Sequence, residues 1–266
     1  MAEATARSGT AERPAEGPLV GSDRVLAVLA ELARHPDGIA LDDLARTVAS
    51  PKPTVHRALA ALRRAGFATQ DDRRQYVLGD EFIRLAFANH EARLDHLRVV
   101  PILRELSARH GETAHYAVLD GRSVVYRSKI DPPSGAVRLT STVGGRNPAH
   151  STALGKLLLA HHLPDDNAVR AWAGSTHLEP RTERTRTAVA DLCAELALTR
   201  QRGYGVEDQE NEPGVSCLAL PLFLSSPTEP SGAVSISALT YRTPLRDLVE
   251  DLPAIRAIVE RGGRTG

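Results

Sequence analysis

Six cations and a histidine crowd one stretch of the chain, "SPKPTVHRALAALRRAGFATQDDRRQYVLG", Ser50 to Gly79. From Lys52 to Thr69 the charged residues are Lys52, Arg57, Arg63 and Arg64, with His56 beside them and no carboxylate inside the run. At about 3.6 residues per turn, Val55, Ala58, Leu59 and Leu62 share one side of a helix, and Arg57, Ala60, Ala61 and Arg64 share the other. Long cations on a floor of alanines suit the DNA major groove, because a guanidinium can reach guanine edges or phosphates while alanine lets the backbone come close. Candidate contacts are Lys52, Thr54, His56, Arg57 and Arg64, with Arg73 and Arg74 at the tip of the hairpin that follows. Lys plus Arg (33) equals Asp plus Glu (33), so this chemistry rests on a local patch and not on a polycation. The competing reading is a solvated helix face in an arginine-rich chain whose only lysines are Lys52, Lys129 and Lys156.

The second chemistry lies near the C-terminus. In "AVSISAL" alternation sets Ser235 and Ser237 against Val234, Ile236 and Ala238, and in "SCLALPL" it sets Cys217, Ala219 and Pro221 against three leucines. One face is apolar and the other small. The small face is either the solvent side of an antiparallel sheet or the floor of a pocket whose hydroxyls can donate to a carboxylate. A helix opening near Ser151 or Thr152 in "HSTALGK" would add free N–H groups and the positive end of a helix dipole.

Other chemistries find little support. "TALGK" is not a phosphate loop, since His150 stands where its first glycine belongs and Leu157 follows Lys156. There is no GxSxG elbow and no HExxH helix. Cys193 and Cys217 form no CxxC pair, which argues against a disulfide framework or cysteine zinc site and fits a reducing cytoplasm. The histidines His110, His115 and His150 stand singly, and no cofactor or metal is implied. A small hydrolase built on the C-terminal half is the alternative function.

These residues need elements to position them. Residues 1–20 read as a disordered tail without a signal-peptide core, and no apolar run is long enough to span a bilayer. "DRVLAVLAELARHPDG" predicts a helix with Val25, Leu29 and Leu32 on one face, and "LDDLARTVAS" a second, short one. Ser50 is the expected N-cap of the third helix, with Pro51 at its first position. A hairpin around "DDRR" completes a winged helix-turn-helix over residues 21–79. Residues 80–110 read as a helical linker, broken near Asn89, that contributes to dimerisation. Residues 111–262 read as an α+β domain: a hairpin at Asp120-Gly121, a strand at "AVRLTST", a helix at "AHSTALGKLLLAHHL", another ending at Gly203, and two late strands.

With these segments in place, "DRVLAVLAELARHPDGIALDDLARTVASPKPTVHRALAALRRAGFATQDDRRQYVLG", "HSTALGKLLLA", "RGYGVEDQENEPGVSCLALPLF" and "GAVSISAL" resemble the IclR-type bacterial transcription regulators in order and spacing over about residues 21 to 260. The resemblance implies an N-terminal winged helix binding operator DNA as a dimer, and a C-terminal GAF-like domain that binds a small effector and tetramerises. It also implies effector contacts at Ala153, Leu154, Glu207, Cys217, Ser235 and Ser237. Two departures stand out. Pro53 replaces a common Ser or Thr, shifting phosphate anchoring onto Lys52, Thr54 and His56, and Glu207 replaces a more common Asp. The expected effector is a hydroxy or sugar acid, its carboxylate held between the N–H groups near Ala153 and Leu154 and the two serine hydroxyls, and relieving repression when it binds.

Overall fold

The computed structural model describes residues 21–91, 94–132, 139–175 and 177–264, so the expected tail at 1–20 lies outside the described residues. The chain divides between His90 and Glu91 into two compact units.

In the first unit, helices α1 (Gly21–Leu32), α2 (Leu41–Thr47) and α3 (Lys52–Arg64) precede a hairpin of β1 (Ala68–Gln70) and β2 (Tyr76–Leu78), followed by α4 (Asp80–Glu91). Val28, Leu32, Leu44, Val55, Leu59, Leu62 and Tyr76 fill the core between them. A bridge from Ile39 to Tyr76 ties the turn before α2 to the hairpin. The start of α3 differs from expectation. Pro51 is the N-cap, its carbonyl accepting from Thr54 and Val55 N–H at 2.9 and 3.1 Å, and Pro53 falls in the first turn. Ser50 makes no cap; its Oγ accepts from Arg24 and donates to the Val48 carbonyl. A proline costs nothing so early in a helix, because the N–H groups there have no intrahelical partner.

The second unit opens with α5 (Leu94–His110) and is built on a six-stranded antiparallel sheet. Its strands are β3 (Thr113–Asp120), β4 (Ser123–Ile130), β5 (Arg146–Pro148), β6 (Gly205–Asp208), β7 (Val215–Leu222) and β8 (Gly232–Leu239), in the order β5-β4-β3-β8-β7-β6. Between β5 and β6 lie α6 (Ala153–His162), α7 (Asp166–Ala173) and α8 (Val189–Arg202), the last closed by Gly203 at φ 73°. The chain ends with α9 (Leu245–Glu250) and α10 (Leu252–Arg264). The break expected near Asn89 is not there: α4 runs through Asn89 to Glu91, and residues 92–93 lie outside the described residues. Leu139–Thr142 of "AVRLTST" is not a strand, and residues 136–138 lie outside the described residues.

Alternation along β7 and β8 buries both faces. Leu218, Leu220, Leu222, Val234, Ile236 and Ala238 pack with Ile102, Leu106, Leu248 and Ile258 of α5, α9 and α10. Fully burying each such side chain contributes about 1.5–3 kcal/mol before conformational entropy is charged against it. The small face is therefore not solvent-facing. It lies under α6, whose first turn approaches so closely that a Cβ on Gly205 would sit 2.3 Å from the Ala153 carbonyl oxygen. Small residues there let a helix lie flat on the sheet. Among the described residues no helix is long and apolar enough to cross a membrane.

Candidate functional site

Two surfaces gather the candidate residues, one in each unit. On α3, Lys52, His56, Arg57, Arg63 and Arg64 are exposed and Thr54 is half-buried. The run itself holds no acid, but the fold supplies one: Asp42 Oδ2 of α2 lies 2.7 Å from Lys52 Nζ. Both side chains are well exposed, so the pair contributes little and is easily broken. At the hairpin tip the Asp71 carboxylate accepts from the Arg73 and Gln75 N–H groups at 3.0 and 2.7 Å, and Arg74 takes φ 63°. The acids at this tip include the one that builds the turn, and Arg73 and Arg74 are left exposed on it.

In the second unit a cavity of about 140 Å³ opens at the edge of the small face. Glu207 on β6, Cys217 on β7 and Ser237 on β8 stand side by side in register and line it. From them a hydrogen-bonded chain runs across the lining. The Cys217 thiol donates to Ser237 Oγ at 3.2 Å, Ser237 Oγ lies 3.2 Å from His115 Nδ1, and His115 Nε2 lies 2.8 Å from Ser141 Oγ. Burial first, and the nearby Lys129 charge second, lower the His115 pKa to about 3, so the ring is neutral and relays hydrogen bonds without adding a cation. Burial also holds the Cys217 thiol well above its usual range, with the Glu207 carboxylate adding to the shift. That thiol is a poor nucleophile.

Glu207 is 1% exposed. Its Oε1 accepts from the Glu210 and Asn211 N–H groups at 2.6 and 3.1 Å, yet desolvation still pushes its pKa up to about 7. The wall of the cavity is pinned by Lys129, whose Nζ donates to the Leu139 and Ser141 carbonyls at 2.9 Å each. Tyr126 OH accepts from Asn147 Nδ2 at 3.1 Å, which leaves its own proton for another acceptor. Behind the Glu207 loop, the fully buried Lys156 ammonium meets Glu210 Oε1 at 2.6 Å.

Of the six residues that the resemblance implied as effector contacts, Glu207, Cys217 and Ser237 line this cavity. Ala153 and Leu154 do not; they pack into the core under α6. Thr152 lines it instead, and its Oγ1 caps α6 by accepting from the Gly155 N–H at 3.0 Å. Ser235 sits one row further in, opposite Ala219 and His115, buried and with an Oγ that finds no partner among the described residues. His115, Tyr126, Ser141, Asn147, Arg181 and Asn211 were missed as lining residues. The signal for His115 was present: in "TAHYAVLD" it is a titratable side chain within a run of buried strand positions. Asn147 and Arg181 reach the cavity from a short edge strand and a loop, and leave no periodic trace.

Comparison with known proteins agrees with both halves. Residues 22–72 match the IclR helix-turn-helix domain, and residues 93–261 match the bacterial transcriptional regulator IclR C-terminal domain. The chain is 35% identical over 202 residues to the HTH-type transcriptional regulator KdgR of Dickeya chrysanthemi, covering 75% of this chain and 65% of that protein, just under two thirds of its length. The transcriptional regulator RHA06195 of Rhodococcus sp. RHA1 superposes with a TM-score of 0.78 at 30% identity, over 91% of this chain and 95% of that one. An IclR homolog of Microbacterium hydrocarbonoxydans, solved with 4-hydroxybenzoate, shares the fold at a TM-score of 0.75 and 22% identity, over 91% of this chain and 100% of that one. Relatives of this chain are named as regulators and not as enzymes, which leaves the hydrolase alternative without support. The chain belongs to the IclR family of bacterial transcriptional regulators.

Proposed function

We propose that the chain is a ligand-responsive repressor that binds a palindromic operator as a dimer or tetramer and leaves it when a small organic acid enters the cavity. The observation that carries the DNA half is the exposed outer face of α3, where Arg57 and Arg64 have no acidic partner among the described residues. Partner residues on DNA are Lys52, Thr54, His56, Arg57, Arg64, Arg73 and Arg74. Self-association is supported by α4, which leaves Ile83, Leu85 and Phe87 42–61% exposed. Apolar side chains this open on one short helix are an expected interface.

The effector half is supported by the cavity, a concave site ringed with convergent polar groups and a perturbed carboxylate. A hydroxy acid suits it, because Glu207 can accept from a hydroxyl and Tyr126 can donate to one. A structural relative is complexed with 4-hydroxybenzoate, which is itself a hydroxy acid.

The test is a gel shift on the DNA upstream of the chain's own coding region, followed by release with a panel of hydroxy, keto, sugar and aromatic acids. Specific retardation reversed by one class of acid is the expected result. Binding no tighter than to random DNA would defeat the regulator reading.

A further inference from the structure

We propose that Arg181 holds the effector's carboxylate at the mouth of the cavity, with the ligand's hydroxyl end pointing inward to Glu207 and Tyr126, so that Arg181 selects anionic ligands. The inference rests on reading the cavity as an effector site, and it reverses the orientation expected from the sequence.

Charge is distributed unevenly around the cavity: two carboxylates, Glu207 and Glu212, line it against one arginine. The floor holds the buried carboxylate of Glu207, a neutral His115, a thiol and a serine hydroxyl. A second carboxylate placed there would face a group that desolvation already discourages from ionising. Nearby cations are committed elsewhere: Lys129 to two carbonyls and to Asp131 at 3.2 Å, and Lys156 to Glu210. Among the described residues lining the cavity, Arg181 alone carries a permanent positive charge. Its side chain is 31% exposed and, among the described residues, its guanidinium meets Glu179 Oε1 alone, at 3.3 Å, on a side chain that is itself 58% exposed. That contact is easily exchanged for a ligand carboxylate, which can be gripped by two parallel N–H bonds.

The backbone under Arg181 is fixed to the rest of the site. The N–H groups of Arg181 and Thr182 both donate to Thr185 Oγ1, at 2.9 and 2.8 Å. Thr185 Oγ1 in turn donates to the Glu210 carbonyl at 2.6 Å, and Thr182 Oγ1 to the Gln209 carbonyl at 2.7 Å. The loop that follows Glu207 and carries Asn211 is thereby tied to the turn that carries Arg181, so mouth and floor are held at a set separation. At the start of α6, Thr152 Oγ1 already takes the Gly155 N–H, and neither Ala153 nor Leu154 lines the cavity.

The space sets the size. About 140 Å³ is close to the roughly 150 Å³ engineered cavity that accommodates benzene, so one ring or a compact hydroxy acid fills it.

The experiment titrates the full chain by calorimetry and thermal shift with 4-hydroxybenzoate, lactate and glycerate, each beside its primary amide. The proteins are wild type, Arg181→Gln, Arg181→Lys, and the double variant Ser235→Ala with Ser237→Ala, each checked for folding by circular dichroism. We expect wild type to prefer at least one acid to its amide, Arg181→Gln to bind that acid at least tenfold more weakly with the amide little changed, and Arg181→Lys to recover part of the loss. If Arg181→Gln binds the acid as wild type does, or if only the double serine variant loses it, the inference is overturned while the effector reading stands. If wild type binds every amide as tightly as its acid, charge is not selected and the inference also fails. Binding of no acid by wild type would overturn both.

Discussion

Arg57 and Arg73 are both exposed arginines of one small domain, but they stand on different elements, and the proposal gives them different work. Arg57 projects from the outer face of α3, where base edges would lie, whereas Arg73 sits on a hairpin tip whose reach is to the phosphate backbone. Arg57→Ala should weaken operator binding by roughly 1–3 kcal/mol and relax sequence preference. Arg73→Ala should weaken specific and random DNA alike and lower the salt slope. Fluorescence anisotropy on both DNAs across a salt series separates the two, and equal losses for Arg57→Ala would turn it into a phosphate contact. Glu207 is the residue whose environment is legible in pH. Its folded pKa of about 7 lies above the ordinary 4.5, so the folded chain holds a proton there that the unfolded chain has released. That contribution to stability is full below about pH 4.5 and is lost as pH rises to about 7. Glu207→Gln keeps the oxygen that accepts from Glu210 and Asn211, and should gain on wild type by roughly 2–3 kcal/mol between pH 5 and pH 8. Urea denaturation at the two pH values checks it; a constant difference would mean that Glu207 titrates normally.

At the scale of the element, α4 is the helix whose sequence least fits its surroundings. Asp80 and Glu81 suit the positive end of the helix dipole, yet Ile83, Leu85 and Phe87 stand in solvent, which a lone helix gains nothing from. Replacing Ile83 and Phe87 together with serine should shift the chain toward monomer in sedimentation at micromolar concentration and weaken binding to a two-half-site operator more than to a single half-site. An unchanged assembly would move the interface elsewhere. Alternation along β7 and β8 was readable in advance because strands repeat every second residue, and so were the Asp120-Gly121 hairpin and the glycine stop after α8. The start of α3 was not, since Ser50 and Pro51 both satisfy the local rules for a helix start and the bond from Arg24 to Ser50, 26 residues apart, enlists the serine elsewhere. Over the described part of "AVRLTST", Leu139–Thr142, no strand forms for a similar reason: the carbonyls of Leu139 and Ser141 go to Lys129 and not to a neighbouring strand.

For the molecule as a whole, the two proposed activities must be linked if the acid releases DNA. Linkage is reciprocal, so whatever factor the acid takes from operator affinity, the operator takes from acid affinity. Calorimetric titration of the releasing acid should therefore give a weaker dissociation constant with saturating operator present than without it, by the same fold measured in the gel shift. Equal affinities in the two titrations would show that the acid acts on something other than the equilibrium between free and bound protein.

The sequence by itself determined that there are two parts, that one presents a basic helix and hairpin tip, and that the other is an antiparallel sheet with one apolar and one small face. Those properties are local: a helix face, a turn or an alternating strand is specified by residues within a few positions of one another. It also pointed to Glu207, Cys217 and Ser237, through the resemblance of short segments. Only the tertiary structure decided what surrounds them. His115 meets Ser237 across 122 positions, Ser151 meets Asn211 across 60, and Thr182 reaches Gln209 across 27. It likewise decided that the small face is covered by α6, which takes Ala153 and Leu154 into the core and brings its N-cap Thr152 to the cavity, while a separate loop brings Arg181. A pocket is made where strands, loops and a helix cap converge, and no periodicity along the chain records which distant residues will share it.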